Sequence, residues 1–196
     1  GIVVANEILG GGFASRLFKE VRSNRGLAYS VGSQPGTGWQ YPGMFLAYTM
    51  TKSSTVEQSV SVITAEIEKM INEPVSAAEL QNARDHILNS EVFNYDSKRD
   101  VLDRLVLFEM NGYPRDFLKQ YQTAVRELTP QAVQAAARAV WKPEMLSVLA
   151  VGNKAEWDGD LSKFGQVNTI DITIPEPKMK LEIPAATPAT LAKGRE

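Results

Sequence analysis

The apolar positions divide the chain into two short helices, a pair of strands, a helical centre and a strand-forming end. Ile2, Val3, Val4, Ala5, Ile8 and Leu9 give residues 2–9 a buried helical face. Gly10-Gly11-Gly12 is expected to stop that helix, because glycine accepts the left-handed conformations of a tight reversal. A second helix spans about 14–24, with Leu17, Phe18 and Val21 as its apolar stripe and Arg16, Lys19, Glu20 and Arg22 mostly elsewhere. Gly26 ends it. "LAYSVGSQ" and "MFLAYTMTK" then read as an antiparallel strand pair, about 27–36 and 43–52, joined by the Gly- and Pro-rich "PGTGWQYPG".

The centre keeps a helical period. Ser54-Thr55-Val56-Glu57 resembles a capping box, and Val60, Ile63, Ile67, Met70 and Ile71 carry a helix to about 72. A second box, Ser76 to Glu79, opens a helix to about 94. Further helices are expected at about 97–112, 115–127 and 130–140, the last with Thr129 as N-cap and Pro130 at the first helical position. "MLSVLAVGN" (145–153) and "VNTIDIT" (167–173) read as strands, with a short helix or loop between them. Strands, a helical block and strands again predict an α+β fold, a largely antiparallel sheet with helices packed on one face. The domain is expected to cover 1–174. From Pro175 on, four of the ten prolines fall among Ala, Thr and Lys, which predicts a linker or tail over 175–196.

Composition narrows the chemistry. The 196 residues suffice for one core, and a net charge of −2 offers no basic excess for nucleic acid or a membrane surface. There is no cysteine, so disulfides and thiolate metal sites are excluded, while the compartment stays open. "GIVVANEIL" has no starting Met and reads as the middle of a helix, so the sequence is taken as a piece of a longer protein. The missing leader therefore carries no weight.

His86 is the sole histidine, and one imidazole does not build a zinc site. It is expected to be an ordinary helix residue. Glu66 and Glu68 have the spacing of a solvated face. The triple glycine before a helix could hold an anion on free N–H groups, but the Lys-Ser/Thr ending of a phosphate loop is missing. Arg22 and Tyr29 lie across a helix–strand joint, where both tips can converge. A guanidinium fork and a phenol can together hold a peptide carbonyl or the oxyanion formed from it. Spacing alone favours the plainer alternative, a solvated arginine and a core tyrosine.

"LGGGFASRLFKEVRSNRGLAYSVGS" closely resembles the glycine-rich segment of the pitrilysin/insulinase family of zinc metallopeptidases. The order of elements up to about 172 is similar to that family's second, non-zinc domain. The resemblance implies that a His-x-x-Glu-His zinc site lies on another domain or subunit, and that Arg22 and Tyr29 reach into it to bind substrate backbone and the tetrahedral intermediate. It implies that Gly10, Gly11 and Gly12 allow close approach to a partner domain or an incoming peptide. The expected partners are the zinc-bearing domain or subunit and an unstructured peptide. This chain should hold no metal and, alone, hydrolyse nothing.

The strand that in this family precedes the "IVVANEILGGG" helix is missing, so an open sheet edge is expected. The resemblance favours the periplasm over the cytoplasm or a mitochondrion without fixing the compartment. The rival expectation is a catalytically silent structural or processing-type subunit of the same fold. An anion binder at the glycine turn is a more distant third.

Overall fold

The computed structural model, which describes residues 1–38 and 43–174, buries the apolar stripes of the first two helices. Val4, Leu9, Leu17 and Val21 are fully enclosed. Helix α1 starts as Ile2–Asn6 and continues without a break as a wider π-helical stretch, Glu7–Gly11. Helix α2, Phe18–Asn24, is also π-helical. Gly26, at φ 61°, caps it, with its N–H donating to the Arg22 carbonyl (3.1 Å) and the Leu27 N–H to that of Val21 (2.9 Å). Glycine adopts that left-handed angle without the Cβ clash other residues meet.

The chain leaves this cap straight into β1, Ala28–Gln34, which pairs antiparallel with β2, Leu46–Thr51. Then come α3 (Val56–Asn72), α4 (Ala77–Ser90), α5 (Lys98–Met110), α6 (Phe117–Glu127) and α7 (Pro130–Val140), with short 3-10 turns between some of them. Helix α1 packs on α7 and β1, and α3 on α7 and β2. Buried Trp141, just past α7, lays its ring 4.7 Å from that of Phe45 before β2. A lone hairpin is marginal in water, so this helical layer sustains the sheet. The opposite face, with Leu46, Tyr48 and Met50, is left exposed. The fold is α+β, with helices on one face of an antiparallel sheet.

Several expectations need correction. Residues 146–152 and 167–173 form no strand, and Val148, Leu149, Val151, Ile170 and Ile172 are exposed. β-branched composition favours a strand only where a neighbour supplies ladder bonds, and among the described residues the sheet is β1 and β2 alone. Helix α4 stops at Ser90 and becomes a 3-10 turn, Glu91–Tyr95, instead of reaching 94.

The capping box at 54–57 does not form; Thr55 is the N-cap and makes no side-chain cap bond. The Asp158 carboxylate instead accepts from the N–H groups of Glu57 (2.8 Å) and Gln58 (3.1 Å). Glu66 is not on a solvated face. It is buried, with its charge met by Lys69 at 2.6 Å, and this hydrogen bond raises the lysine pKa. The box at Ser76–Glu79 and the Thr129 cap form as expected, and the structure adds a box at Ser97–Asp100.

The compact unit is Gly1–Gly165, and Gln166–Glu196 is a second unit. The described part of the second, 166–174, has no regular structure. The expected tail from 175 lies outside the described residues.

Candidate functional site

Tyr29 owes its position to a break in the β1–β2 ladder. Ala28 pairs with Thr51 and Ser30 with Met50, which leaves Tyr29 as an extra residue without a cross-strand partner. Such a β-bulge re-aims a side chain. Tyr29 is 81% exposed, against the core placement that spacing alone favoured.

Arg22 approaches from the last turn of α2. Its guanidinium carbon lies 4.3 Å from the centroid of the Tyr29 ring and 4.7 Å from that of Phe18. A cation over an aromatic face is held by the ring quadrupole, and the planar fork keeps its edge N–H groups free to donate. The structure therefore brings the two sequence-predicted residues together on one open patch. Among the described residues, neither side chain has a hydrogen-bond or ion-pair partner.

The glycine turn behaves differently from its sequence reading. None of Gly10, Gly11 and Gly12 has a positive φ. What Gly10 supplies is closeness: a Cβ there would lie 2.6 Å from the Ser33 nitrogen and 2.9 Å from the Gly32 carbonyl carbon. It lets the end of α1 abut β1. Gly11 and Gly12 fold around the Glu7 carboxylate, where a Cβ on Gly12 would lie 2.9 Å from Oε1.

Helix α4 clamps this turn from both sides. Before the glycines, His86 Nδ1 is 2.8 Å from Glu7 Oε1. After them, Arg16 donates to both Glu79 oxygens, at 2.7 and 3.1 Å. Burial alone would raise the Glu79 carboxyl. Donation from Arg16 and from the Ser76 N–H and O–H outweighs burial and holds it at about 2. His86 is thus a helix residue whose ring nitrogen meets the Glu7 carboxylate. Between the clamps lies a cleft of about 350 Å³, lined by Glu7, Glu79, Asn82, His86 and Phe13 among others. Its two carboxylates repel an anion, so the cleft does not suit a phosphate.

Among the described residues, no three His, Cys, Asp or Glu side chains are grouped so as to hold a metal. The donor set therefore does not fit zinc. No helix is long and apolar enough to cross a membrane. Sequence reasoning missed Phe18 as the second ring under Arg22, though its i to i+4 spacing from Arg22 signals it.

Residues 1–87 match the family model described as the peptidase M16 inactive domain. An uncharacterised zinc protease of Streptomyces coelicolor is 30% identical over 137 residues, which is 70% of this chain and 30% of that protein. A non-peptidase homolog of Helicobacter pylori is 26% identical over 147 residues, covering 75% of this chain and 34% of that one. The crystal structure of a peptidase M16 inactive domain from Pseudomonas fluorescens superposes with a TM-score of 0.66 at 27% identity, over 72% of this chain and 34% of that one. The chain thus spans about a third of the length of the relatives it matches. Over residues 1–87 it is similar to the inactive domain of the M16 (pitrilysin/insulinase) family of zinc metallopeptidases, and its fold matches that of such inactive domains.

Proposed function

We propose that this chain is the substrate-binding half of a zinc peptidase site, lending Arg22 and Tyr29 to a metal centre carried by another domain or subunit. The supporting observation is the pair itself. The Arg22 guanidinium lies 4.3 Å from the centroid of the exposed Tyr29 ring, and among the described residues neither side chain has a hydrogen-bond or ion-pair partner. Arg22 donates edge N–H bonds to the carbonyl oxygen of a bound peptide, and the Tyr29 hydroxyl donates another. Both bonds strengthen as that oxygen takes on negative charge during attack, which is differential stabilisation of the transition state. A zinc ion held by that other domain would supply the activated water, and among the described residues of this chain no ligand for it is proposed. The glycine turn keeps α1 tight against β1, so that the joint carrying Arg22 and Tyr29 is rigid.

A second reading has its own observation. One relative is named a non-peptidase homolog, which favours a silent subunit that keeps the fold for assembly alone. Reconstitution separates the two. The chain is combined with the zinc-bearing domain of its own source, and cleavage of an unstructured peptide is followed for the wild type, Arg22→Ala and Tyr29→Phe. Losses of about 10²-fold or more in turnover support the first reading. Equal turnover in all three leaves the second.

A further inference from the structure

Helix α5 buries only one edge of its apolar face. Phe108 is buried, while Val101, Leu102, Leu105 and Val106, on the same broad face, are 39–59% exposed. An apolar stripe left open in this way is a surface still to be covered. The residues along that stripe run Lys98, Val101, Leu102, Leu105, Val106, Glu109, all exposed. Read from either end the order is the same, except that the cation at one end is an anion at the other.

We propose that α5 is a homodimer contact, covered by α5 of a second copy lying antiparallel to it. A twofold axis midway between Asp103 and Arg104 sets Leu102 opposite Leu105 of the second copy, Val101 opposite Val106, and Lys98 opposite Glu109. Each pair occurs twice by symmetry, as an isologous contact requires.

The end charges point the same way. Lys98 is the first residue of α5 and Glu109 lies in its last turn, so each is placed against the macrodipole of its own helix. Neither has an ion-pair partner among the described residues. In the antiparallel pair Lys98 meets Glu109 at the negative end of the facing helix, and Glu109 meets Lys98 at its positive end. A parallel pair would instead set lysine on lysine and glutamate on glutamate. A helix of 13 residues is only ~20 Å long. With Val92, Phe93 and Met110 exposed nearby, the contact falls toward the small end of stable interfaces. Association is therefore expected at roughly micromolar concentrations.

Sedimentation equilibrium of the 196-residue chain tests this, from about 1 to about 500 µM, because dimerisation follows mass action. The wild type should pass from monomer to dimer across that range, and Leu105→Glu should remain monomeric. Lys98→Glu and Glu109→Lys should each raise the dimer Kd about tenfold or more, and the double variant should return it to within about threefold of wild type. All three positions are exposed, so far-UV circular dichroism should be unchanged. If Leu105→Glu does not fold, the charge exchange decides alone. A monomer at every concentration overturns the pairing, as does self-association unaffected by these substitutions. A double variant that does not recover overturns the antiparallel register.

Discussion

The guanidinium carbon of Arg22 lies 4.3 Å above the ring centroid of Tyr29, at the joint where a glycine-capped π-helix meets a bulged strand. Both groups are open to solvent on one side, so their contact is a weak contributor to stability. A cation–π contact at an exposed site is worth about 0.5–1 kcal/mol. Tyr29→Ala should therefore cost no more than about 1 kcal/mol in urea unfolding. A loss of about 3 kcal/mol or more would show that Tyr29 is a core residue in solution.

Gly10 is predicted to be the least replaceable of the three glycines. A methyl group there meets the backbone of Gly32 and Ser33, which cannot swing aside. Gly10→Ala should destabilise by about 1–3 kcal/mol, the usual cost of overpacking. Gly12→Ala meets a carboxylate at the end of the Glu7 side chain, and should cost clearly less. Thermal unfolding of the two variants gives the comparison, and the reverse order would refute it.

Acid sensitivity should come in part from Glu79. Its pKa is about 2 in the folded state, against an ordinary value of 4.5. A carboxyl depressed by folding stabilises the protein above its unfolded pKa, and that stabilisation fades as pH falls through the folded value. Glu79→Gln should thus have a lower urea midpoint than the wild type at pH 7, and the gap should narrow between pH 4.5 and about 2. A gap of constant size would contradict the assignment.

Asp158 is predicted to be a cap acting over a distance. It satisfies two N–H groups at the start of α3, 2.8 and 3.1 Å away, from about a hundred residues further along the chain. Asp158→Ala should cost about 1 kcal/mol, similar to Thr129→Ala at the local cap of α7. Guanidinium unfolding of both variants checks this. No change on removing Asp158 would mean that α3 starts on its own residues.

The legible parts of the fold were those encoded locally. Helical periods, the Ser76–Glu79 box and the Thr129-Pro130 start each depend on residues a turn apart. The glycine cap at 26 is also local, whereas the arginine–tyrosine joint was expected only from the resemblance, its spacing alone favouring a core tyrosine. What was missed depends on distant partners. The Asp158 cap, the burial of Glu66 and the close contact of Gly10 with β1 arise from tertiary packing. The bulge at Tyr29 depends on cross-strand register, which no single strand specifies. Residues 146–152 have the composition of a strand, but composition does not supply a neighbour to pair with.

The central claim is that Arg22 and Tyr29 act on the oxyanion and not merely on substrate docking. The most direct measurement is kcat and KM, taken separately, for peptide cleavage by the reconstituted complex with wild-type and Arg22→Ala chains at equal zinc content. Loss of a group that acts in the transition state should lower kcat by about 10²–10³-fold while KM moves only a few-fold. An unchanged kcat, or a change confined to KM, would contradict the account.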